Sequence, residues 1–423
     1  MQKVLIISYY WPPSGGSGVQ RWLKFAKYLP LYDWKPIIYT PENPYLEIQD
    51  KELNNDVVDI EVWRRKIWEP YMIKDRLFGT SNIAQTSGVI LNKKSIINRC
   101  LNWIRGNLFI PDPKIFWVAP SVKFLNKKIK KEKIKYIITT GPPHSMHLIG
   151  LRLKKDNNVK WIADFRDPWS SLDILDNFYL SNLTKKKHIN LELEVIKEAD
   201  ITLTVSENWR TNLNNLGAKR TEIITNGYDN DDFKIRNKHS SKFIIGHYGL
   251  INHLRNPVKL WKTLNEICQR DSSFKEKLEI HLAGNIDPDI ITEIKSYNHL
   301  FSKVKLLGYL THSEVIDAYH ESSLLLLLLF NSSSGVGNYP GKLFEYFAAK
   351  KPIIAFGPKG SDTERMLSGI KHCIYHDYDN DNIEDDILAV FNNHPNFNNI
   401  KVNSDYSRKN LTKNLVKLLN SIK

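Results

Sequence analysis

Short apolar runs alternate with stretches of helical period along nearly the whole chain. In the first half the runs that read as strands are 4–9, 36–40, 60–64, 135–139, 160–165, 201–205 and 222–225. Amphipathic patterns such as 19–29 and 184–198 fill several of the gaps. In the second half the strand-like runs are 243–248, 279–283, 304–307, 324–330 and 352–356. Helical stretches near 257–270, 288–297, 312–321, 342–350 and 361–369 lie between them. Unbroken apolar strands joined by helical crossovers predict parallel sheets covered on both faces. Two such units predict an α/β chain of two Rossmann-like, doubly wound domains. The polar segment 226–241 reads as the linker, and a C-terminal helix near 405–422 follows the Asn-rich stretch 392–399. The expected division is therefore 1–235, 236–400 and a terminal helix over 401–423.

The length of 423 residues agrees with two domains, or three. With 42% apolar and 25% charged residues, disorder is excluded as the main state. Cys100, Cys268 and Cys373 are too few, too far apart and odd in number for a disulfide scaffold, which fits a reducing compartment. The longest apolar run, 324–330, suits a buried strand and falls far short of the roughly 18–20 residues of a membrane span. The N-terminus has no signal-peptide layout and reads directly as a strand, so a cytoplasmic location is expected.

Charge adds something the pattern does not. The net charge of +14 is uneven: +10 falls in residues 1–235 and +4 in 236–423. A polyanionic partner should meet the N-terminal half, whether a membrane surface, a phosphorylated lipid, a nucleic acid or an acidic glycan. Nucleic acid is not expected, because no helix-turn-helix signature, zinc spacing or RNA-binding aromatic motif is present. Lys123, Lys127, Lys128, Lys130, Lys131, Lys133 and Lys135 crowd a single helical stretch. That stretch is either a solvated face or a docking face for an anionic membrane. Residues 96–109, with Trp103, Leu101 and Leu108 beside Arg99 and Arg105, are a second membrane candidate.

The first loop, Trp11-Pro-Pro-Ser-Gly-Gly-Ser-Gly18, carries Gly15, Gly16 and Gly18 into a helix whose first turn holds Arg21. It is neither a dinucleotide fingerprint nor a P-loop, and it reads either as a plain strand–helix turn or as a ligand loop. His144 and His147 are three apart with no evident third ligand, so a metal pair is not expected. His144 either faces a cleft or serves in a cap or core. Asp287-Pro-Asp289 and Asp379-Asn-Asp381 have D-x-D form; they read as a helix cap and an acidic surface loop.

Several blocks in order carry a resemblance over nearly the whole chain. They are Pro-Pro-Ser-Gly-Gly-Ser-Gly-Val-Gln-Arg at 12–21, Gly-Pro-Pro-His-Ser-Met-His at 141–147 and Asp-Phe-Arg-Asp-Pro-Trp at 164–169. Thr-Val-Ser-Glu at 204–207, Thr-Asn-Gly-Tyr-Asp at 225–229 and Gly-His-Tyr-Gly-Leu at 246–250 follow. The most specific is Tyr-Pro-Gly-Lys-Leu-Phe-Glu-Tyr-Phe-Ala-Ala-Lys-Lys-Pro-Ile-Ile-Ala at 339–355. Together they resemble GT-B glycosyltransferases of the family-4 (group 1) retaining type. The resemblance implies two lobes facing a central cleft, with the C-terminal helix crossing back to the first. It also implies transfer of a sugar from a nucleotide diphosphate sugar to a hydroxyl of a glycan, lipid-linked (polyprenyl) in the reading adopted here. No metal or other cofactor is expected, and the expected location is the inner face of the plasma membrane.

For the donor, a Ser/Gly loop with Gly335 and Gly337 feeds a helix N-terminus, Lys342 supplies a cation, and Glu345 lies on the same helical face. By resemblance Glu345 accepts the ribose hydroxyls; the plain alternative is a surface Lys–Glu pair. The family has a second Glu eight residues earlier, where this chain has Gly337. Arg255 and, less specifically, Lys259 correspond to the cations that hold the pyrophosphate. For the acceptor, Asp167, then Asp164, could orient or deprotonate a hydroxyl, and His144 is a further catalytic candidate. The alternative for the carboxylates is an Asp–Arg pair bracing the strand end. A nucleotide-sugar epimerase of the same architecture and an inactive binding member are the competing readings.

Overall fold

The structure is a computed structural model and describes all residues except 46–48, 51, 58, 71–95, 234–239, 394–401 and 423. The chain divides into two units, Met1–Thr225 together with Arg408–Lys423, and Asn226–Ser407.

The first unit is built on strands β1 (Gln2–Ile7), β2 (Trp34–Pro41), β3 (Glu61–Arg65), β4 (Tyr136–Gly141), β5 (Lys160–Phe165), β6 (Ile201–Thr204) and β7 (Thr221–Ile223). They form one parallel sheet in the order β3-β2-β1-β4-β5-β6-β7. Its helices are α1 (Ser17–Tyr28), α2 (Ile96–Leu108), α3 (Ile115–Glu132), α4 (Ser145–Asp156), α5 (Asn182–Glu198) and α6 (Glu207–Asn215). Successive side chains of β1 point to opposite faces, so its apolar run serves two cores. Leu5 and Ile7 pack with α3 and α4, whereas Val4 and Ile6 pack with α1. That double burial is why the strand reads as continuous rather than alternating.

The second unit holds β8 (Phe243–Tyr248), β9 (Leu278–Ala283), β10 (Val304–Gly308), β11 (Leu324–Leu328), β12 (Ile353–Phe356) and β13 (Cys373–His376). The order is β10-β9-β8-β11-β12-β13, again parallel. Helices α7 (Val258–Arg270), α8 (Ser272–Lys277), α9 (Pro288–Lys295), α10 (His312–Glu321), α11 (Gly341–Ala349), α12 (Asp362–Leu367) and α13 (Glu384–Asn393) cover it. Strand β13 was not expected: it is a four-residue edge strand with only His376 fully buried, so its apolar signal is weak.

In each sheet the chain moves outward from the first strand to one edge, then returns to the first strand's other side. The reversals lie between β1 and β4 and between β8 and β11. Beyond the carboxyl ends of such a strand pair, diverging loops leave the crevice in which doubly wound sheets bind ligands.

The last helix, α14 (Arg408–Ser421), belongs to the first unit, as the expected crossing back requires. Leu411, Leu415, Val416 and Leu419 recur at helical spacing and pack with Val19, Trp22, Leu23 and Ala26 of α1. The division between units falls between Thr225 and Asn226, upstream of the 235/236 boundary expected. Its cause is local anchoring: Asn226 donates its side-chain amide to the Tyr339 carbonyl (3.0 Å), and the Tyr228 N–H donates to the Tyr406 carbonyl (3.1 Å). Residues 234–239 of the expected linker and the Asn-rich stretch from 394 onward lie outside the described residues.

The Lys-rich stretch is the C-terminal part of α3. The helix turns Val122, Leu125 and Ile129 into the core and leaves Lys123, Lys127, Lys130 and Lys131 exposed. Helix α2 does the reverse. Asn102 and Gly106 face inward, while Leu101, Trp103, Ile104 and Leu108 are exposed. Among the described residues no helix is long and apolar enough to cross a membrane.

Candidate functional site

In the second unit, the reversal point between β8 and β11 gathers three of the expected donor residues. Lys342 opens α11, and its Nζ donates to the Tyr248 carbonyl at the end of β8 (2.9 Å). Gly249 follows directly. A Cβ there would fall on Lys342 Nζ, so only glycine lets the ammonium reach the strand end. Burial pushes the Lys342 pKa down to about 7, with the Arg255 charge adding to the effect and Glu345 opposing it. Arg255 closes a short 3₁₀ turn, His253–Arg255, and its guanidinium lies 3.6 Å over the Phe330 ring. The loop after β11 is tied to that turn by the Asn331 N–H, which donates to the Leu254 carbonyl (2.8 Å). Two basic side chains thus lie within reach of each other's charge at the sheet's reversal point, an arrangement that favours a bound anion.

Glu345 lies one turn along α11. Its Oε2 accepts from the Tyr319 hydroxyl (2.9 Å). Among the described residues no ion pair joins it to Lys342, so the two are not the surface Lys–Glu pair that their spacing allowed. Gly335 and Gly337 are buried in the turn ahead of α11, where the Asn338 N–H donates to the Gly335 carbonyl (3.2 Å). Pro340 at the N-cap position gives α11 no side-chain cap, and no acidic residue occupies its first turn. Its first N–H groups are thus not occupied by a capping side chain.

Lys259 is engaged elsewhere. Its Nζ lies 2.7 Å from Asp381 Oδ1 and also donates to the Asp379 carbonyl, so the acidic loop takes the charge that the diphosphate reading required. Asp287 stands at the N-cap position of α9 without a side-chain cap hydrogen bond. His247, which sequence reasoning did not single out, is fully buried behind Lys342. Its Nδ1 lies 2.9 Å from the Leu326 carbonyl, and burial, then the Lys342 charge, holds its pKa well below the usual range. The ring is therefore neutral, and the cation at this place is the lysine.

In the first unit the corresponding reversal point, between β1 and β4, is held by Arg166. Its guanidinium donates to the carbonyls of Gly18 (2.8 Å), Gly141 (3.2 Å) and Pro142 (2.6 Å), pinning the loops after β1 and β4 to the end of β5. Gly15 is half-buried, and Gly16 is exposed with φ +86, a left-handed conformation that favours glycine, directly before α1. Gly18 sits close against Tyr10 and Arg166.

Arg21 and Asp164 turn out to be partners. Arg21 donates through Nε and Nη2 to the two Asp164 oxygens (3.1 and 3.0 Å), Trp22 Nε1 donates at 2.7 Å and Thr140 Oγ1 at 3.0 Å. The third Arg21 arm reaches the Thr225 carbonyl (2.9 Å). Both side chains are essentially inaccessible. This corrects the placement of Arg21 as a loop ligand and of Asp164 as an acid–base candidate, since their capacity is spent on each other. A buried, saturated pair of this kind braces the sheet.

His144 is corrected as well. It is 7% exposed and lies flat against Trp169 (centroids 4.9 Å apart, 5° between planes). Burial, then His147, holds its pKa well below the usual range, so it is a neutral packed ring rather than an exposed proton carrier. Beside it His147 accepts or donates at Thr139 Oγ1 (2.8 Å), and burial pushes its pKa to about 3.

Asp167 differs from both. It is half-buried and lines an open recess with Glu192, Ser171, Thr204, Trp209 and Asn212. Glu192 was missed by sequence reasoning: it is 4% exposed, accepts the Ser170 N–H (3.1 Å), and burial raises its pKa. The only signal for it was a glutamate on the inward face of a helix, four residues after the buried His188.

No protein-family model matches this chain, and no curated relative matches it. Solved structures do. A glycosyltransferase from Rickettsia africae is 16% identical with a TM-score of 0.64, covering 100% of this chain and 98% of its own. Anabaena HepE, solved in complex with UDP and glucose, is 13% identical with a TM-score of 0.63 and full coverage of both chains. TarM of S. aureus, solved with fondaparinux, alpha-GlcNAc-glycerol and UDP, is 13% identical with a TM-score of 0.62, also with full coverage. The chain therefore has the two-domain α/β fold of the GT-B glycosyltransferases.

Proposed function

We propose that this protein is a retaining glycosyltransferase of the family-4 type, which moves a sugar from a nucleoside diphosphate sugar to a hydroxyl of a lipid-linked glycan precursor. The observation that carries the reading is the meeting of Lys342 and Arg255 at the β8–β11 reversal point, with the Glu345 carboxylate one helical turn away. A nucleoside diphosphate needs those parts in that arrangement: positive charge for the diphosphate and an acceptor for the ribose hydroxyls. The neighbours solved with UDP support the same ligand class.

In this reading Lys342, Arg255 and the N–H groups that open α11 take up the negative charge that develops on the departing diphosphate, the main electrostatic demand of the transfer. They meet it without a metal. Glu345 holds the ribose. Backbone N–H groups of 335–338 take over contacts with the sugar hydroxyls where Gly337 replaces a carboxylate. Asp167 is the acid–base candidate that remains half-open once Asp164 and His144 are set aside, and it orients or deprotonates the acceptor hydroxyl. The exposed lysines of α3 and the outward apolar residues of α2 hold the protein at the anionic inner face of the plasma membrane, where a polyprenyl-linked acceptor resides.

The test is donor binding and transfer by the full chain against a panel of nucleotide sugars. Lys342→Ala and Glu345→Ala are each expected to weaken nucleoside diphosphate binding about ten- to hundredfold, the scale of one lost charged hydrogen bond, with unchanged circular dichroism. Unchanged affinity in both removes the donor-site assignment. Asp167→Asn is expected to lower turnover while leaving donor affinity within about twofold. An epimerised sugar formed without any acceptor would falsify transfer as the main reaction, and the anomeric configuration of the product tests retention.

A further inference from the structure

Glu345 has two carboxylate oxygens, and the protein uses one of them. Oε2 accepts from the Tyr319 hydroxyl at 2.9 Å; among the described residues no group donates to Oε1. Tyr319 comes from α10, a different helix, and is 2% exposed. Its ring is wedged edge-on between Tyr248 (centroids 5.3 Å apart) and Tyr346 (5.0 Å). Those two are themselves anchored. The Tyr248 hydroxyl donates to the Ala318 carbonyl (3.0 Å) and meets Ser322 Oγ (2.7 Å), and the Tyr346 hydroxyl donates to the Leu326 carbonyl (3.3 Å). The Tyr319 hydroxyl is thus carried on a ring that cannot swing, and it meets a carboxylate on a long, otherwise flexible side chain.

We propose that Tyr319 is a positioning residue: it fixes the Glu345 carboxylate through Oε2 and so presents Oε1 to the vicinal hydroxyls of a ribose. This rests on the donor reading of Glu345 given above. A glutamate held in one rotamer by a buried donor loses no freedom when a diol binds, so the site discriminates ribose from sugars that lack those hydroxyls more sharply than a free glutamate does. Burial and the neighbouring Glu345 charge keep the Tyr319 pKa well above its usual value, so the hydroxyl remains a donor across the working range.

The probes are UDP and 2′,3′-dideoxy-UDP, with GDP and its dideoxy counterpart run in parallel, bound to the full-length protein and followed by calorimetry. Wild type is expected to prefer the ribonucleotide of its cognate base by about tenfold or more. Tyr319→Phe removes one oxygen from the ring and is expected to cut that preference to about two- to threefold while leaving dideoxy affinity unchanged. In a Glu345→Gln background the same substitution is expected to have no further effect, because the two act as one unit. A preference retained by Tyr319→Phe overturns the inference alone, as does an equal loss for both nucleotides, which marks a merely structural role. A wild type that binds ribonucleotide and dideoxynucleotide equally well with both bases overturns the donor reading of Glu345 and the inference together. Should Tyr319→Phe fold poorly, Ser322 allows a second route. Ser322→Ala loosens the Tyr248 anchor beside Tyr319 and is expected to lower the same ratio by a smaller factor; an unaltered ratio counts against the positioning role.

Discussion

At the scale of single residues, Lys342 is a charged group held where charge is costly. Its pKa of about 7 lies below the ordinary lysine value of roughly 10.4, so between those two pH values the unfolded chain holds a proton that the folded chain lacks. The unfolded state is favoured by protonation there, and this contribution makes stability rise with pH across that window. A bound diphosphate reverses the balance by restoring the proton. Binding is therefore expected to take up protons, and affinity to fall between pH 7.5 and 9 by up to about tenfold per unit, read as buffer-dependent calorimetric enthalpy. Lys342→Arg, whose guanidinium stays charged, is expected to flatten the profile. The buried Arg21–Asp164 pair makes a separate case. Asp164→Ala leaves a guanidinium buried without its counter-charge and is expected to cost about 3–5 kcal/mol in denaturant unfolding. A cost below about 1 kcal/mol would mean that water or a shifted side chain replaces the carboxylate. Neither pairing was legible in the sequence. Arg21 and Asp164 are 143 positions apart, and Tyr319 and Glu345 are 26 apart on different helices, so no local spacing joins them. Lys342 and Glu345 were legible as a pair on one helical face, but not the fact that each turns to a separate partner.

At the scale of elements, pattern and structure agree where burial is two-sided. The strands with unbroken apolar runs, such as β1 and β11, were readable because both faces meet a core. β13 was not, because an edge strand half in solvent carries little apolar signal. The strand order was also out of reach, since crossover helices look alike in sequence whichever edge they lead to. Helix α14 is a case where the sequence predicts the element and the structure supplies its partner. Leu415 is fully buried against α1, and Leu415→Ala is expected to cost about 2–5 kcal/mol, measured by chemical denaturation of the full chain. A loss under about 1 kcal/mol would mean that α14 is only loosely docked. Helix α2 breaks the usual rule, because it shows its large apolar residues to the outside and rests on Asn102 and Gly106.

At the scale of the whole molecule, the densest run of exposed lysines and the main group of exposed apolar residues sit on different helices. In the Lys-rich C-terminal part of α3, Leu125 and Ile129 fill the core, so that part offers chiefly cations; α2 offers exposed apolar side chains, with Arg99 beside them. Binding to vesicles rich in anionic lipid therefore has two separable parts. Replacing Lys127, Lys128, Lys130, Lys131 and Lys133 with Gln is expected to weaken vesicle binding severalfold and to flatten its salt dependence, each lysine near the surface contributing up to about 1 kcal/mol. Trp103→Ser is expected to weaken binding equally at low and high salt. Co-sedimentation reads both, and no change with either variant leaves the lysines as a solvated face. The domain count was legible from two rounds of strand–helix alternation. The assignment of the last helix to the first unit needed the resemblance, because nothing in an amphipathic pattern names the surface it covers.

The seating of α14 on α1 bears on the order of events during synthesis. Residues 226–407, the entire second unit, are joined to the growing chain before residue 408. The outer side of α1, with Trp22 and Ala26 among its apolar residues, must wait uncovered through that interval. The translating cell therefore carries a first unit that lacks one of its own helices while a second is being made, and a chaperone that masks that waiting surface would have its work ended when α14 docks.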